Sequence, residues 1–177
     1  MSMLIVRAEN LAREKHQHQR RKGAGKLPYI THVEEVALLT ERFGGSEEAI
    51  AAAWLHDVVE DCPPTSLFDI EEGFGTAVAA LVAELTDDKS LPKAERKRLQ
   101  VVHAPKKSPE AALIKIADKS SNVRSIVDAP PDWPHARKLA YLEWAETVVE
   151  ALPPHPLEMA LAEFRARLQS ARRALEG

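Results

Sequence analysis

No segment of the chain sustains the alternation of apolar and polar residues that a half-buried strand needs. Apolar residues recur instead at helical spacing, as Leu4, Ala8, Leu11 and Ala12 do near the start. Composition points the same way. Of 177 residues 45% are hydrophobic, only 5% are aromatic and seven are glycine, so alanine, leucine and valine carry the packing. The expected fold class is all-α with essentially no sheet. No repeat, low-complexity tract or linker divides the chain, so residues 1–177 are expected to form a single domain.

Helix punctuation can be followed along the chain. A first helix over about Leu4–Arg20 gives way to the basic, glycine-broken loop Arg20-Arg21-Lys22-Gly23-Ala24-Gly25-Lys26. Thr31 and Glu34 have capping-box spacing and open a helix from His32 to about Phe43, stopped by Gly44-Gly45. Ser46 caps the next, with Glu47 and Glu48 in its first turn, and that helix is expected to run to Pro63-Pro64. Further helices are expected at about Leu67–Glu72, Thr76–Leu85 and Lys93–Val102, the last strongly basic. Ser108-Pro109 opens one reaching about Val127, and two more cover about Pro134–Leu152 and Pro156–Leu175.

Charge and cysteine content narrow the functional classes. A net charge of −3 argues against binding a nucleic-acid polymer or an anionic membrane as the main task. No apolar run approaches the roughly 18 residues of a membrane span, and Met1–Glu14 lacks a signal peptide's apolar stretch. Cys62 is alone, so no internal disulfide can form. These readings lead to an expected soluble, cytoplasmic protein. A homodimer is left open.

The densest chemistry is His56-Asp57-Val58-Val59-Glu60-Asp61. At about 100° per residue, the four ionisable groups share an arc of about 140° on a continuous helix. Three carboxylates so close repel one another unless a cation lies among them. Read alone, the hexapeptide is equally compatible with a solvated helix end and a core histidine. Two further residues favour the metal. His32 begins a helix just after the basic loop. Asp118 falls within the apolar run Leu113-Ile114-Lys115-Ile116-Ala117-Asp118, where a buried carboxylate needs a strong partner. Two imidazoles and two carboxylates suit Mn²⁺, Fe²⁺ or Zn²⁺ better than Ca²⁺.

The pattern His…His-Asp…Asp resembles that of HD-domain phosphohydrolases. The strings His16–Lys22, Pro28–His32, His56–Asp61, Glu84–Lys89 and Lys115–Asn122 resemble the hydrolase domain of RelA/SpoT homologues. The basic segment Lys93–Gln100 and Tyr141-Leu142-Glu143-Trp144 are most similar to the small stand-alone hydrolases of that family, including the animal type. The resemblance spans about residues 4–168. It implies a compact HD-type helical bundle that removes the 3′-pyrophosphate of the guanosine alarmones ppGpp and pppGpp, giving GDP or GTP plus pyrophosphate, usually with Mn²⁺. By position it implies His32, His56, Asp57 and Asp118 as ligands of one metal, and Glu60 and Asp61 as the catalytic carboxylates. It likewise implies Arg21, Lys22, Asn122 and Tyr141 as nucleotide contacts. Trp54, Cys62 and Val33 depart from the family pattern without removing a ligand. At 177 residues the sequence carries no expected synthetase activity.

The remaining candidates have plainer readings. Lys93, Arg96, Lys97 and Arg98 read first as a solvated basic helix, with phosphate contact as the lesser alternative. Lys106 and Lys107 read as loop charges, and Trp54, Trp133 and Trp144 as packing. His16 and His18, two apart on a helix, do not face the same way. His103, His135 and His155 have no ligand spacing. Two other functions compete with alarmone hydrolysis: an HD phosphohydrolase for another 2′- or 3′-phosphorylated nucleotide, and a non-catalytic nucleotide sensor.

Overall fold

The structure is a computed structural model describing residues 2–154 and 157–176. Within these residues the chain forms ten α-helices and no strand. They are α1 (Met3–Lys15), α2 (Ile30–Arg42), α3 (Glu47–Leu55), α4 (Val58–Asp61), α5 (Leu67–Phe74), α6 (Thr76–Leu85), α7 (Lys93–His103), α8 (Pro109–Asp128), α9 (His135–Glu150) and α10 (Glu158–Glu176). The expected start of the last helix at Pro156, like His155, lies outside the described residues.

α8 is the axis of the molecule. Ser108 caps it by accepting from the Ala111 amide at 3.3 Å, and Pro109 opens its first turn. Ala111, Ile114 and Ala117 join an apolar cluster built mainly from α2, α3 and α6. Ala112, Leu113, Ile116, Val123 and Ile126 join a second, with α9 and α10. Thirteen of its twenty residues are buried. Each buried isoleucine contributes about 1.5–3 kcal/mol by leaving water. Lys115, Asp118, Lys119, Ser120 and Ser121 are buried in this same helix, so the core is polar along one stretch.

Two expectations fail locally. α2 begins at Ile30, so Thr31 lies inside the first turn. Its hydroxyl donates to the Pro28 carbonyl at 2.8 Å and no capping box forms. The helix expected to run from Ser46 to Pro63 is broken at His56-Asp57. His56 Nδ1 donates to the Ala53 carbonyl at 2.7 Å, occupying the acceptor that the Asp57 amide would use in a continuing helix. Ser46 does cap α3, accepting from the Ala49 amide at 3.1 Å.

α1 stops at Lys15, earlier than the sequence suggests. The basic loop that follows is tied down by isolated bridges pairing Arg20 with Pro28 and Gly23 with Pro131. The Ala24 amide donates to the Pro130 carbonyl at 3.0 Å. Gly23 packs so closely on the end of α8 that a Cβ there would lie 2.0 Å from the Ala129 carbonyl oxygen.

Candidate active site

His32 comes from the first turn of α2, His56 and Asp57 from the break between α3 and α4, and Asp118 from the middle of α8. The break turns His56 and Asp57 toward the other two. His32 Nε2 lies 3.5 Å from Asp118 Oδ1 and 3.7 Å from Asp57 Oδ2. His56 Nε2 lies 3.1 Å from Asp57 Oδ2, and ligand atoms of His32, His56 and Asp118 fall within 4.8 Å of one another. Both histidines and Asp118 are buried.

The hydrogen bonds on the far side of each ring set its tautomer. His56 Nδ1 is committed to the Ala53 carbonyl, and its Nε2 is buried without an aligned hydrogen-bond partner. His32 Nδ1 lies 2.9 Å from Ser121 Oγ. An orphaned buried nitrogen beside two carboxylates and a second imidazole is the donor set a divalent cation requires. The residues present therefore fit a divalent-metal site.

Electrostatics favour a cation at the same point. Burial pushes the Asp118 carboxyl up, but Lys119, Lys115 and the histidines outweigh it and hold it well below the usual range. Asp57 is likewise held far down against burial, chiefly by His56 and His32. Burial lowers His32 to about 4, keeping it neutral and free to donate a lone pair. Burial also opposes charge on His56, yet Asp57 and Asp118 overcome it and raise this group to about 9. The negative potential that raises His56 also attracts a cation, which on binding would displace the His56 proton.

Above this cluster lies a cavity of about 690 Å³, a size suited to a nucleotide. The four cluster residues sit behind its lining and meet it through Tyr29, Lys119 and Asn122. The Tyr29 hydroxyl donates to Asp57 Oδ2 at 2.5 Å. Asn122 Nδ2 donates to Asp118 Oδ1 at 2.7 Å, and Lys119 Nζ pairs with Asp118 Oδ2 at 3.2 Å. Arg21 donates to Asn122 Oδ1 at 3.3 Å. Arg21, Lys22, Asn122, Tyr141, Glu60 and Asp61 all line this one cavity. Each ligand, catalytic carboxylate and nucleotide contact implied by the resemblance thus falls in the cluster or on the cavity wall.

Glu60 is fixed by the Asp87 amide, which donates to its Oε2 at 3.0 Å, and it faces Arg96 at 3.6 Å. Burial raises its pKa, and the neighbouring carboxylates of Asp87, Asp57 and Asp61 add to the rise. Such a carboxylate takes and returns protons nearer neutrality than an exposed one. Asp61 is paired with Lys89.

The cavity wall adds to the plainer readings of α7 and the tryptophans. Nine basic side chains line it against three acidic ones, on a chain whose net charge is −3. Lys93, Arg96 and Lys97 of α7 are among them, with Arg137 of α9. Only Arg98 turns away, paired with Glu95. Trp133 and Trp144 flank Tyr141 at ring-centroid distances of 5.9 and 5.5 Å and also line the cavity. Lys119 and Lys97 sit 4.3 and 4.4 Å from the Trp144 ring centroid. Lys107 is no free loop charge, for its Nζ donates to the Glu84 carbonyl. Trp54 is core, as expected. Tyr29 and Lys119 went unassigned in the sequence. The signal for Lys119 was its position beside a carboxylate in an apolar run.

A bundle of short helices that brings His, His-Asp and Asp together defines the HD class of metal-dependent proteins. The HD-domain family model matches residues 8–143, and the chain belongs to that family. Among its relatives, the guanosine-3′,5′-bis(diphosphate) 3′-pyrophosphohydrolase MESH1 of Xenopus tropicalis is 47% identical over 152 residues, covering 84% of each chain. The protein of that name from Drosophila melanogaster is 48% identical, covering 86% of this chain and 88% of its own. A solved structure described as a metazoan ortholog of SpoT that hydrolyses ppGpp is 40% identical, with a TM-score of 0.85 over 98% of this chain and 96% of that one. No described helix is long and apolar enough to cross a membrane.

Proposed function

We propose that this protein is a guanosine-3′,5′-bis(diphosphate) 3′-pyrophosphohydrolase, converting ppGpp or pppGpp and water to GDP or GTP and pyrophosphate. The observation that carries the reading is the juxtaposition of the buried His32, His56 and Asp118, with Asp57 beside them, and a strongly basic cavity. The relatives' activity gives the substrate, and a basic cavity of nucleotide size suits a ligand with several negative charges.

His32, His56, Asp57 and Asp118 would hold the metal, with Mn²⁺ as the favoured ion and one ion per site. When bound, a divalent ion there supplies Lewis acidity toward water and phosphoryl oxygens. The chain's own residues do the rest. Glu60, with its raised pKa and fixed by the Asp87 amide, receives the proton of the attacking water, and Asp61 flanks it as the second carboxylate. Arg21 and Lys22 on the clamped loop meet the nucleotide's phosphates, and Asn122 holds both Arg21 and Asp118 in register. Tyr141, between Trp133 and Trp144, offers an aromatic face to the base. Lys93, Lys97 and Arg137 supply further charge from the cavity lining. The protein would act in the cytoplasm as a single-domain enzyme, alone or as a homodimer, without a nucleic-acid polymer or a membrane.

Incubation of the purified protein with Mn²⁺ and ppGpp tests the assignment. GDP and pyrophosphate should appear in equal amounts, and Glu60→Gln should lower kcat by about 10²–10⁴ while leaving Mn²⁺ bound. Binding of ppGpp without turnover in the native protein would instead mark a sensor. Turnover of other 2′- or 3′-phosphorylated nucleotides alone would mark a different HD hydrolase.

A further inference from the structure

A chain of hydrogen bonds runs from the C-terminal helix to the far side of His32. Arg167 on α10 donates from Nη1 to Glu35 Oε1 at 2.6 Å. Ser121 Oγ donates to the other oxygen, Glu35 Oε2, at 2.7 Å. His32 Nδ1 then meets Ser121 Oγ at 2.9 Å.

The protons along this chain have only one arrangement. Glu35 is ionised: burial pushes its carboxyl up, but the hydrogen bonds from Ser121 and Arg167 outweigh this and hold it below the usual range. An ionised carboxylate only accepts, so the single serine hydroxyl hydrogen goes to Glu35. Ser121 Oγ must therefore accept from His32 Nδ1–H. That leaves His32 Nε2 without a proton, turned toward Asp118 and Asp57.

We infer that Glu35, Ser121 and Arg167 are positioning residues which hold His32 in its metal-binding tautomer and orientation. The inference rests on the metal-site part of the proposed function. Its anchor lies outside the HD-domain match, which ends at residue 143, whereas α10 spans Glu158–Glu176. α10 is thereby a working part of the centre and not only a cover for the second apolar cluster. Arg167 suits the task because it is itself held, its Nε donating to Glu163 at 2.7 Å and its Nη1 also reaching the Ser120 carbonyl at 3.3 Å. Arg124 adds a second, more exposed contact to Glu35 at 3.2 Å.

The test uses the full chain, stripped of metal and titrated with Mn²⁺. Ser121→Ala should weaken Mn²⁺ binding by about 10–100-fold, Ser121→Thr should restore it, and Arg167→Met should weaken it by a smaller factor. In the metal-free protein, ¹⁵N shifts of the His32 ring should report the Nδ1–H tautomer in the native chain and a mixture in Ser121→Ala. Unchanged Mn²⁺ affinity together with an unchanged His32 tautomer in Ser121→Ala and Arg167→Met would overturn the inference. Should Ser121→Ala fail to fold, Arg167→Met at the far end of the chain decides by the same two measurements. The tautomer is read without metal or nucleotide, so failure of the relay is distinguishable from failure of the alarmone assignment.

Discussion

α8 and α7 both deliver lysines to the same cavity, yet they are built on opposite terms. Thirteen of the twenty residues of α8 are buried, and Lys115, Asp118 and Lys119 are locked together in its interior. α7 has no fully buried residue among its eleven, and its Lys93 and Lys97 reach the cavity from a largely solvated helix. Burial makes each charge on α8 depend on its partners, since an ion left unpaired in the interior is strongly destabilising. The charges on α7 are more exposed and partly screened by water, although Lys93 and Lys97 are each lowered by burial and by the nearby Arg137. One helix supplies chemistry that cannot be varied piecemeal, and the other supplies affinity that can.

The largest effect should come from the buried side. Asp118→Ala removes a metal-ligand candidate and the counter-charge of two buried lysines, so metal retention should be lost and kcat/KM should fall by more than about a hundredfold. Metal analysis after dialysis, beside a turnover assay, checks this. Full activity in that variant would remove the basis of the contrast. Lys97→Ala on the solvated helix should act on binding instead. Its loss should raise KM by about tenfold with little change in kcat, and the difference should shrink as salt is added. A large fall in kcat would show that α7 belongs with α8.

The smallest effect probes the seam between the two helices. Burial, reinforced by Lys115, lowers Lys107 to about 8, below the 10.5 of an unfolded chain. The folded state therefore releases this proton first and binds fewer protons than the unfolded state between those values. Stability contributed by Lys107 should rise as pH increases from about 8 to 10.5. Thermal melting of the native chain and Lys107→Met across that range should show the rise diminished in the variant. Equal slopes would place Lys107 with the freely solvated charges.

Much of the buried side is legible in the sequence and much of the wall is not. Asp118 stands out because a carboxylate in an apolar run needs a partner, whereas His56 and Asp57 are ambiguous alone and form a ligand set with His32 and Asp118 through the family pattern. The break at His56-Asp57 is invisible to periodicity, because it depends on a ring nitrogen taking the Ala53 carbonyl away from the backbone. Periodicity likewise shows that α7 is basic but not which neighbour its basic face meets. Lys93, Arg96 and Lys97 are therefore read as solvated until α9 and its aromatic residues are placed opposite. Tyr29 and Lys119 depend on contacts between segments far apart in sequence. The Thr31 capping box had the right spacing and the wrong register, for the helix begins two residues before the box requires.

The tight seat of Gly23 has a consequence for how such a site can diverge. With the Ala129 carbonyl 2.0 Å from where a Cβ would stand, the loop's backbone is pinned to the end of α8. Arg21 and Lys22, just before the pin, can be exchanged for other side chains without moving the path that carries them. New specificities on this scaffold should therefore arise by relettering the rim, while insertions beside the pin should disturb the loop as a whole.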